Sequence, residues 1–191
     1  MDLSQAYASM NGDLANTISL LIVALAGLIL VVFDAFNNRH SATPWIAGLA
    51  LFAGFLFELT RIGSAEGLVY YDMMRVGGSA AFVNVLILGS GFLSVILSAP
   101  YLKRIGHNIG EAYAMILFAT VGMLVLGAAN NLVTVFVGLE TMSVCLYILT
   151  GFIRSGSGST ESAFKYFLLG AFSTGFFLYG IALLYGATGT M

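Results

Sequence analysis

Residues 131–151 read NLVTVFVGLETMSVCLYILTG, an apolar run with a single charged side chain, Glu140, near its middle. As a helix rising about 1.5 Å per residue, this run is roughly 30 Å long and spans the hydrocarbon core of a bilayer. An ionised group at that depth costs at least about 2.5 to 3.5 kcal/mol on insertion scales, so it usually faces a bundle interior, a water-filled path or a partner charge. The run therefore predicts a transmembrane helix, and Glu140 is a candidate for ion or proton transfer.

The composition of the whole chain is that of a membrane protein. Hydrophobic residues make up 59% and charged residues 8%, and the mean hydropathy is +0.96, which argues against a soluble fold. The net charge is −2 and no basic patch is present, so we expect no nucleic acid partner.

Cys145 is the one cysteine and lies in an apolar run, so we predict packing rather than a disulfide or metal site. Asp2 and Asp13 are the only early charges, which disfavours a cleaved signal peptide.

Six apolar stretches predict an all-α polytopic membrane protein of about six transmembrane helices, with residues 1–191 as one transmembrane region. The second stretch is short and carries Glu58 near its end. The links, including residues 61–78, 100–111 and 154–161, are predicted loops, and residues 129–131 must form a tight turn. The predicted spans are residues 15–33, 42–59, 79–99, 112–129, 131–151 and 162–185.

The basic residues predict an orientation for these spans. Four fall in links one, three and five of an alternating topology, and two fall on the opposite side. The first group is Arg39, Lys103, Arg104 and Arg154, and the second is Arg61 and Arg75. Because cytoplasmic links are enriched in Lys and Arg, we expect the odd links in the cytoplasm and both termini outside.

The helix around Glu140 has a polar stripe. Ser143, Tyr147 and Thr150 follow Glu140 at three, seven and ten residues, and at 100° per residue all four share one face. The stripe runs toward the predicted cytoplasmic end, as expected of a wetted half-path that feeds a proton acceptor. In the alternative interpretation the hydroxyls bond back to their own helix, Tyr147 anchors near an interface and Glu140 forms a static interhelical bond.

Lys165 is the second ionisable candidate, a few residues into the sixth span and four residues after Glu161. That spacing stabilises an exposed helical turn, and a lysine near a helix end can snorkel, so an interfacial role stays open. The levels of Glu140 and Lys165 differ by roughly 10 Å along the helix axes. This argues against a direct salt bridge and leaves a water-linked relay.

The sixth span also carries pairs of small residues four apart, a spacing that predicts close packing of another helix. The pairs are Gly170 with Thr174 and Ala171 with Gly175.

Three runs resemble a known family. Residues 136–152 (FVGLETMSVCLYILTGF), 162–172 (SAFKYFLLGAF) and 178–189 (LYGIALLYGATG) look like the antiporter-like subunit N family of bacterial NADH-quinone oxidoreductase, respiratory complex I. The resemblance is specific from Glu111 onward, and residues 1–110 share mainly the span pattern. It implies that Glu140 corresponds to the family's essential glutamate of the fifth helix, and Lys165 to its lysine of the sixth.

The chain departs from the family at two points. Cys145 stands where many relatives have proline, so a proline kink is not expected. The family also has later helices that carry further functional lysines, whereas this sequence ends at residue 191. The resemblance therefore implies the N-terminal part of an antiporter-like helix bundle, without a complete proton channel.

The resemblance further implies a proton-translocating membrane-arm subunit that couples electron transfer from NADH to quinone with proton pumping in the bacterial inner membrane. Its partners would be other membrane-arm subunits and the lipid bilayer. NADH, flavin, iron–sulfur clusters and quinone would belong to partner subunits, since the sequence has no Gly-rich nucleotide loop and no cysteine cluster. Two alternatives stay open: a cation/proton antiporter subunit that shares the Gly-x-Glu helix, and a non-transporting assembly scaffold.

Overall fold

The structure, a computed structural model, describes residues 3–36, 42–104, 110–153 and 157–190. In those ranges the chain forms seven helices and one two-stranded antiparallel hairpin. The elements are α1 (Leu3–Asn16), α2 (Ile18–Phe36), α3 (Thr43–Leu59), β1 (Gly67–Val69), β2 (Met74–Val76), α4 (Gly78–Arg104), α5 (Gly110–Gly127), α6 (Leu132–Thr150) and α7 (Ser157–Thr188).

Five of these helices, α2 and α4 to α7, are long and apolar enough to cross a membrane, and α3 is a shorter apolar helix of 17 residues. The predicted class, an all-α polytopic membrane protein, is confirmed. α3 begins close to the expected position because Pro44 stands in its first turn, where its missing N–H costs no helical bond. Two basic residues used to predict orientation, Arg39 and Arg154, lie outside the described residues.

The structure corrects three of the predicted loops. α4 continues through Pro100 to Arg104, and its last turn carries Lys103 and Arg104, which interact favourably with the negative end of the helix dipole. α7 begins at Ser157, inside the expected Ser/Gly-rich loop. The link 61–78 contains the hairpin. A further helix, α1, precedes the first predicted span and is too polar to be recognised by its hydropathy.

The hairpin lies against the turn between α5 and α6. Its strands pair Gly67 with Val76 and Val69 with Met74. The Arg75 amide donates to the Ala128 carbonyl at 2.7 Å, and the Asn130 amide donates to the Met73 carbonyl at 2.9 Å. These long-range bonds complete the backbone pairing that a three-residue strand lacks by itself.

From α2 to α7, consecutive helices reverse direction, so the helix ends lie at two levels. At the hairpin end, Ser19 near the start of α2 donates a hydrogen bond to Glu58 near the end of α3. At the opposite, distal end, the Ser159 hydroxyl of α7 donates to the Thr150 carbonyl of α6 at 2.9 Å. α4 starts at the hairpin end and finishes at the distal end with Lys103 and Arg104.

The core lies among α2, α3, α4 and α5. Its fully buried side chains include Val23, Leu51, Leu88 and Tyr113. α7 stands at the edge of the bundle, and Ile181 is the one residue of its described side chains that is classed as buried. Helix α6 therefore separates the core from α7.

Candidate functional site

Helix α6, which carries Glu140, is fixed at its first turn by an N-cap. Asn131 has extended backbone angles, and its side-chain oxygen accepts a hydrogen bond from the Thr134 amide at 2.7 Å. Asn is among the best N-cap residues because its short side chain reaches an amide that has no intrahelical partner. The cap sets where the helix starts, and so it sets the direction in which Glu140 points.

One face of α6 packs backbone to backbone on α5. A Cβ placed on Gly138 would lie 2.6 Å from the Leu126 amide nitrogen and 2.9 Å from the Gly122 carbonyl oxygen. Small residues allow such close helix contacts in membranes, where lipid is as apolar as a leucine side chain. Glu140 is two residues from Gly138, which is 200° around the helix, so Glu140 faces away from α5.

The opposite face of α6 packs on α7. The ring of Phe136 lies 6.3 Å from that of Phe177, measured between centroids, and Tyr147 lies against Gly170. Phe136 and Tyr147 both share the helical face of Glu140, within about 40° at 100° per residue. Since α6 and α7 are antiparallel, these two contacts place Glu140 between them, at about the level of Thr174.

Glu140 is partly buried, and one oxygen of its carboxyl is withdrawn from solvent. Its Oε1 atom is buried and has no hydrogen-bond partner within the described part of the chain. An unpaired buried polar atom costs roughly 1 to 3 kcal/mol, and more when it is charged. The static interhelical hydrogen bond considered as an alternative is therefore not formed by this oxygen, which leaves it available to a proton or a water molecule.

The other residues of the polar stripe differ in how far they are exposed to solvent. Ser143 is buried, whereas Thr150 is exposed and donates its hydroxyl back to the Leu146 carbonyl at 2.8 Å. Between them, the Tyr147 ring packs edge-on against Tyr166, with ring centroids 4.8 Å apart, and against Phe167 at 5.8 Å. Aromatic rings of α6 and α7 thus occupy the middle of the stripe, between Glu140 and the distal end.

Lys165 lies outside this interface. It forms the i, i+4 ion pair with Glu161 that the spacing favours, and the two side chains are 69% and 64% exposed. Thr174 is nine residues further along α7, so Lys165 is about 14 Å from the level of Glu140 along the axis. The structure does not bring Glu140 and Lys165 into direct contact.

Sequence reasoning missed a second buried carboxyl. Glu58 is 4% exposed and receives the Ser19 hydroxyl. In the sequence, Glu58 is a charge inside an apolar stretch, which is the same feature that identified Glu140. Because Glu58 lies near the end of a short span, however, its position suggested an interfacial group. No group of three or more His, Cys, Asp or Glu side chains is placed to hold a metal ion in the described ranges.

Comparison with known proteins shows which proteins the chain is similar to. The family model described as "NADH:quinone oxidoreductase/Mrp antiporter, TM" matches residues 129–191, which include Glu140 and Lys165. Over all 191 residues, the chain is 54% identical to NADH-quinone oxidoreductase subunit N of Salinibacter ruber. Along its whole length, the chain is similar to subunit N of this oxidoreductase. The resemblance drawn from the sequence motifs is confirmed.

Two further comparisons show the same similarity. Subunit N of Trichlorobacter lovleyi is 37% identical over the whole chain. A chain of respiratory complex I from Thermus thermophilus, solved with bound aureothin, superposes on 90% of this chain with a TM-score of 0.77 and 29% identity. The chain spans 38% and 39% of the two subunit N relatives and 37% of the complex I chain.

Proposed function

We propose that this chain contributes a proton-accepting half-site to a membrane-arm subunit of NADH:quinone oxidoreductase, with Glu140 as the acceptor. The observation that carries the proposal is the buried Oε1 of Glu140, which has no hydrogen-bond partner among the described residues and lies on the face of α6 that packs on α7. A carboxyl whose role was only to hold two helices together would have this oxygen hydrogen-bonded to the other helix. The similarity to subunit N along the whole chain supports the same conclusion.

In this proposal the proton reaches Glu140 from the distal end, along Ser143, Tyr147 and Thr150. The packed rings of Tyr147 and Tyr166 close that route in the present arrangement, so proton entry requires the Tyr147 ring to move. A gate of this kind prevents a continuous water chain from leaking protons across the membrane. Lys165 acts on this site from a distance, through its positive charge.

We infer the location and the partners from the same similarity to subunit N. The distal end, with Lys103 and Arg104, would face the cytoplasm of a bacterial inner membrane, and the hairpin end would face outside. Electron transfer would occur in partner subunits that hold NADH, flavin, iron–sulfur clusters and quinone. The part of the mechanism assigned to this chain is proton uptake alone.

The test is NADH-driven proton uptake in vesicles that contain the full-length subunit with Glu140→Gln, in complex I quantified on a native gel. Glutamine keeps the size of the side chain and removes the exchangeable proton, so we expect pumping to fall severalfold in an assembled complex. The matched control is Glu161→Gln, an exposed carboxyl of the next helix, which should pump normally. Normal pumping by Glu140→Gln would refute the proposal and favour the assembly-scaffold alternative.

A further inference from the structure

Three buried polar side chains from three helices meet near the hairpin end. Ser19 of α2 is 2% exposed, Glu58 of α3 is 4% exposed and Asn84 of α4 is 8% exposed. The Ser19 hydroxyl donates to Oε1 of Glu58, and the Asn84 amide faces the same carboxyl. This cluster is built from helices other than those that hold Glu140.

The nearby cations make their hydrogen bonds elsewhere. Arg61, just beyond α3, donates to the backbone oxygen of Asn16 at 3.1 Å and to its side-chain oxygen at 2.8 Å. Arg75 of the hairpin donates through Nε to Asn130 at 2.7 Å. α2 and α4 present only neutral groups, Ser19 and Asn84. The Glu58 carboxyl therefore interacts with these two arginines only at longer range, and its hydrogen-bond donors are neutral. A buried negative charge is costly in such an environment.

One atom of the cluster still needs a donor. Oδ1 of Asn84 is buried and has no hydrogen-bond partner among the described residues. It lines a cavity of about 10 Å³ together with Ser19, Glu58, Met74 and Val76. That is the smallest volume that holds one water molecule, and the lining supplies the polar partners that a buried water requires.

We propose that Glu58, Ser19, Asn84 and one water molecule in this cavity form a proton-exchange site at the hairpin end. The water donates to Oδ1 of Asn84 and bridges it to the Glu58 carboxyl, while Ser19 holds the other side of the carboxyl. A hydronium ion entering from the aqueous phase passes one proton to the carboxylate and leaves as water, so atoms and charge balance without a co-reactant. Glu58 then holds the proton as a neutral carboxylic acid.

The position of the cluster suits exchange with one aqueous phase. The cavity is bordered by Arg75 and Val76 of the hairpin and by Ala128, where α5 ends. All three lie at the hairpin end, whereas the predicted uptake route to Glu140 starts at the distal end. The site is thus independent of the proposed function of Glu140, and either proposal can fail without the other.

Infrared difference spectroscopy of the chain in lipid nanodiscs tests the proposal, since a protonated buried carboxyl has a C=O stretching band above the amide I region. We expect Glu58→Gln to remove one such band that titrates with pH. The control Glu66→Gln changes an exposed carboxyl at the same end and should leave that band in place. Asn84→Leu deletes the water's acceptor, so the Glu58 band should shift to higher frequency.

Exchange into D2O completes the test. The Glu58 band should shift down within minutes of transfer, because the bound water connects it to the aqueous phase. Three outcomes would each overturn the proposal. The Glu58-dependent band could be absent at every pH, its frequency could stay unchanged in Asn84→Leu, or it could fail to shift in D2O. If Asn84→Leu lowers the helix content measured by circular dichroism, Ser19→Ala takes its place, and loss of the Ser19 donor should also raise the band frequency.

Discussion

Tyr147 of α6 fills the space that a side chain at position 170 of α7 would need. A Cβ placed on Gly170 would overlap the Tyr147 phenolic oxygen and would lie 3.0 Å from a ring carbon. Gly170 is therefore the residue that lets Tyr147 lie between the helices, in the middle of the proposed proton route. The predicted close packing at Gly170 is observed, whereas a Cβ placed on Gly175 would meet no atom of another described element within 4 Å.

Gly170→Ala should therefore displace the Tyr147 ring or push α7 outward. We expect a loss of about 1 to 3 kcal/mol in stability, the usual cost of overpacking, measured by thermal unfolding in detergent. The loss should shrink in a Tyr147→Phe background, because the closest atom is then absent, and shrink further with Tyr147→Leu. Equal losses in all three backgrounds would contradict the contact.

Gly138→Ala tests the close approach of α5 and α6 that orients Glu140. The added methyl would meet backbone atoms of Leu126 and Gly122, which cannot rotate away as a side chain can. We expect a loss of about 1 to 3 kcal/mol. The control is Gly175→Ala on the open face of α7, where alanine should be neutral or stabilising by up to about 1 kcal/mol because it favours helix more than glycine does. Equal behaviour of the two variants would show that α5 and α6 do not pack this closely.

Acid should loosen the attachment of the hairpin to α4. The Ser79 hydroxyl donates to Glu66 at 2.5 Å and the Ser79 amide donates at 3.1 Å, and these bonds hold the pKa of Glu66 below its ordinary value. A carboxyl with a lowered folded-state pKa stabilises the fold above its unfolded-state pKa, about 4.3, and this stabilisation is lost as the pH falls through the lower folded value. Amide hydrogen exchange at Ser79 should accelerate in that acidic range. Glu66→Gln should flatten the pH dependence, and a profile identical to wild type would contradict the assignment.

The positions of the spans could be predicted from the sequence, because a bilayer requires long uninterrupted apolar helices. Glu140 could be named as a candidate for the same reason, since a charge inside such a run is conspicuous, and its role stays a prediction. The hairpin could not be predicted, because its strands are three residues long and depend on bonds to Ala128 and Asn130, more than fifty residues away. The partnership of Glu58 with Ser19 and Asn84 likewise depends on how three helices pack, which no local pattern records.

The N-cap of α6 gives a local test of how Glu140 is positioned. Asn131→Ala removes the acceptor of the Thr134 amide and should cost about 1 kcal/mol, the typical value for a lost cap. Asn131→Asp keeps an acceptor at the same distance and should retain most of the stability. Thermal unfolding of the three proteins measures the difference. A destabilisation by aspartate as large as that by alanine would show that the cap does not contribute.

Substitution of Lys165 distinguishes two roles for this residue, an interfacial lysine and a lysine coupled to proton uptake. Its ion pair with Glu161 is exposed, so breaking that pair with Glu161→Gln should change stability by only a few tenths of a kcal/mol. If this ion pair were the whole role of Lys165, then Lys165→Met would change stability equally little. Both variants would then pump protons normally in assembled complex I. We expect instead that Lys165→Met lowers NADH-driven pumping severalfold while Glu161→Gln does not, because only the first removes a positive charge from α7. Normal pumping by Lys165→Met would assign the lysine to the membrane surface and leave Glu140 without electrostatic control from this helix.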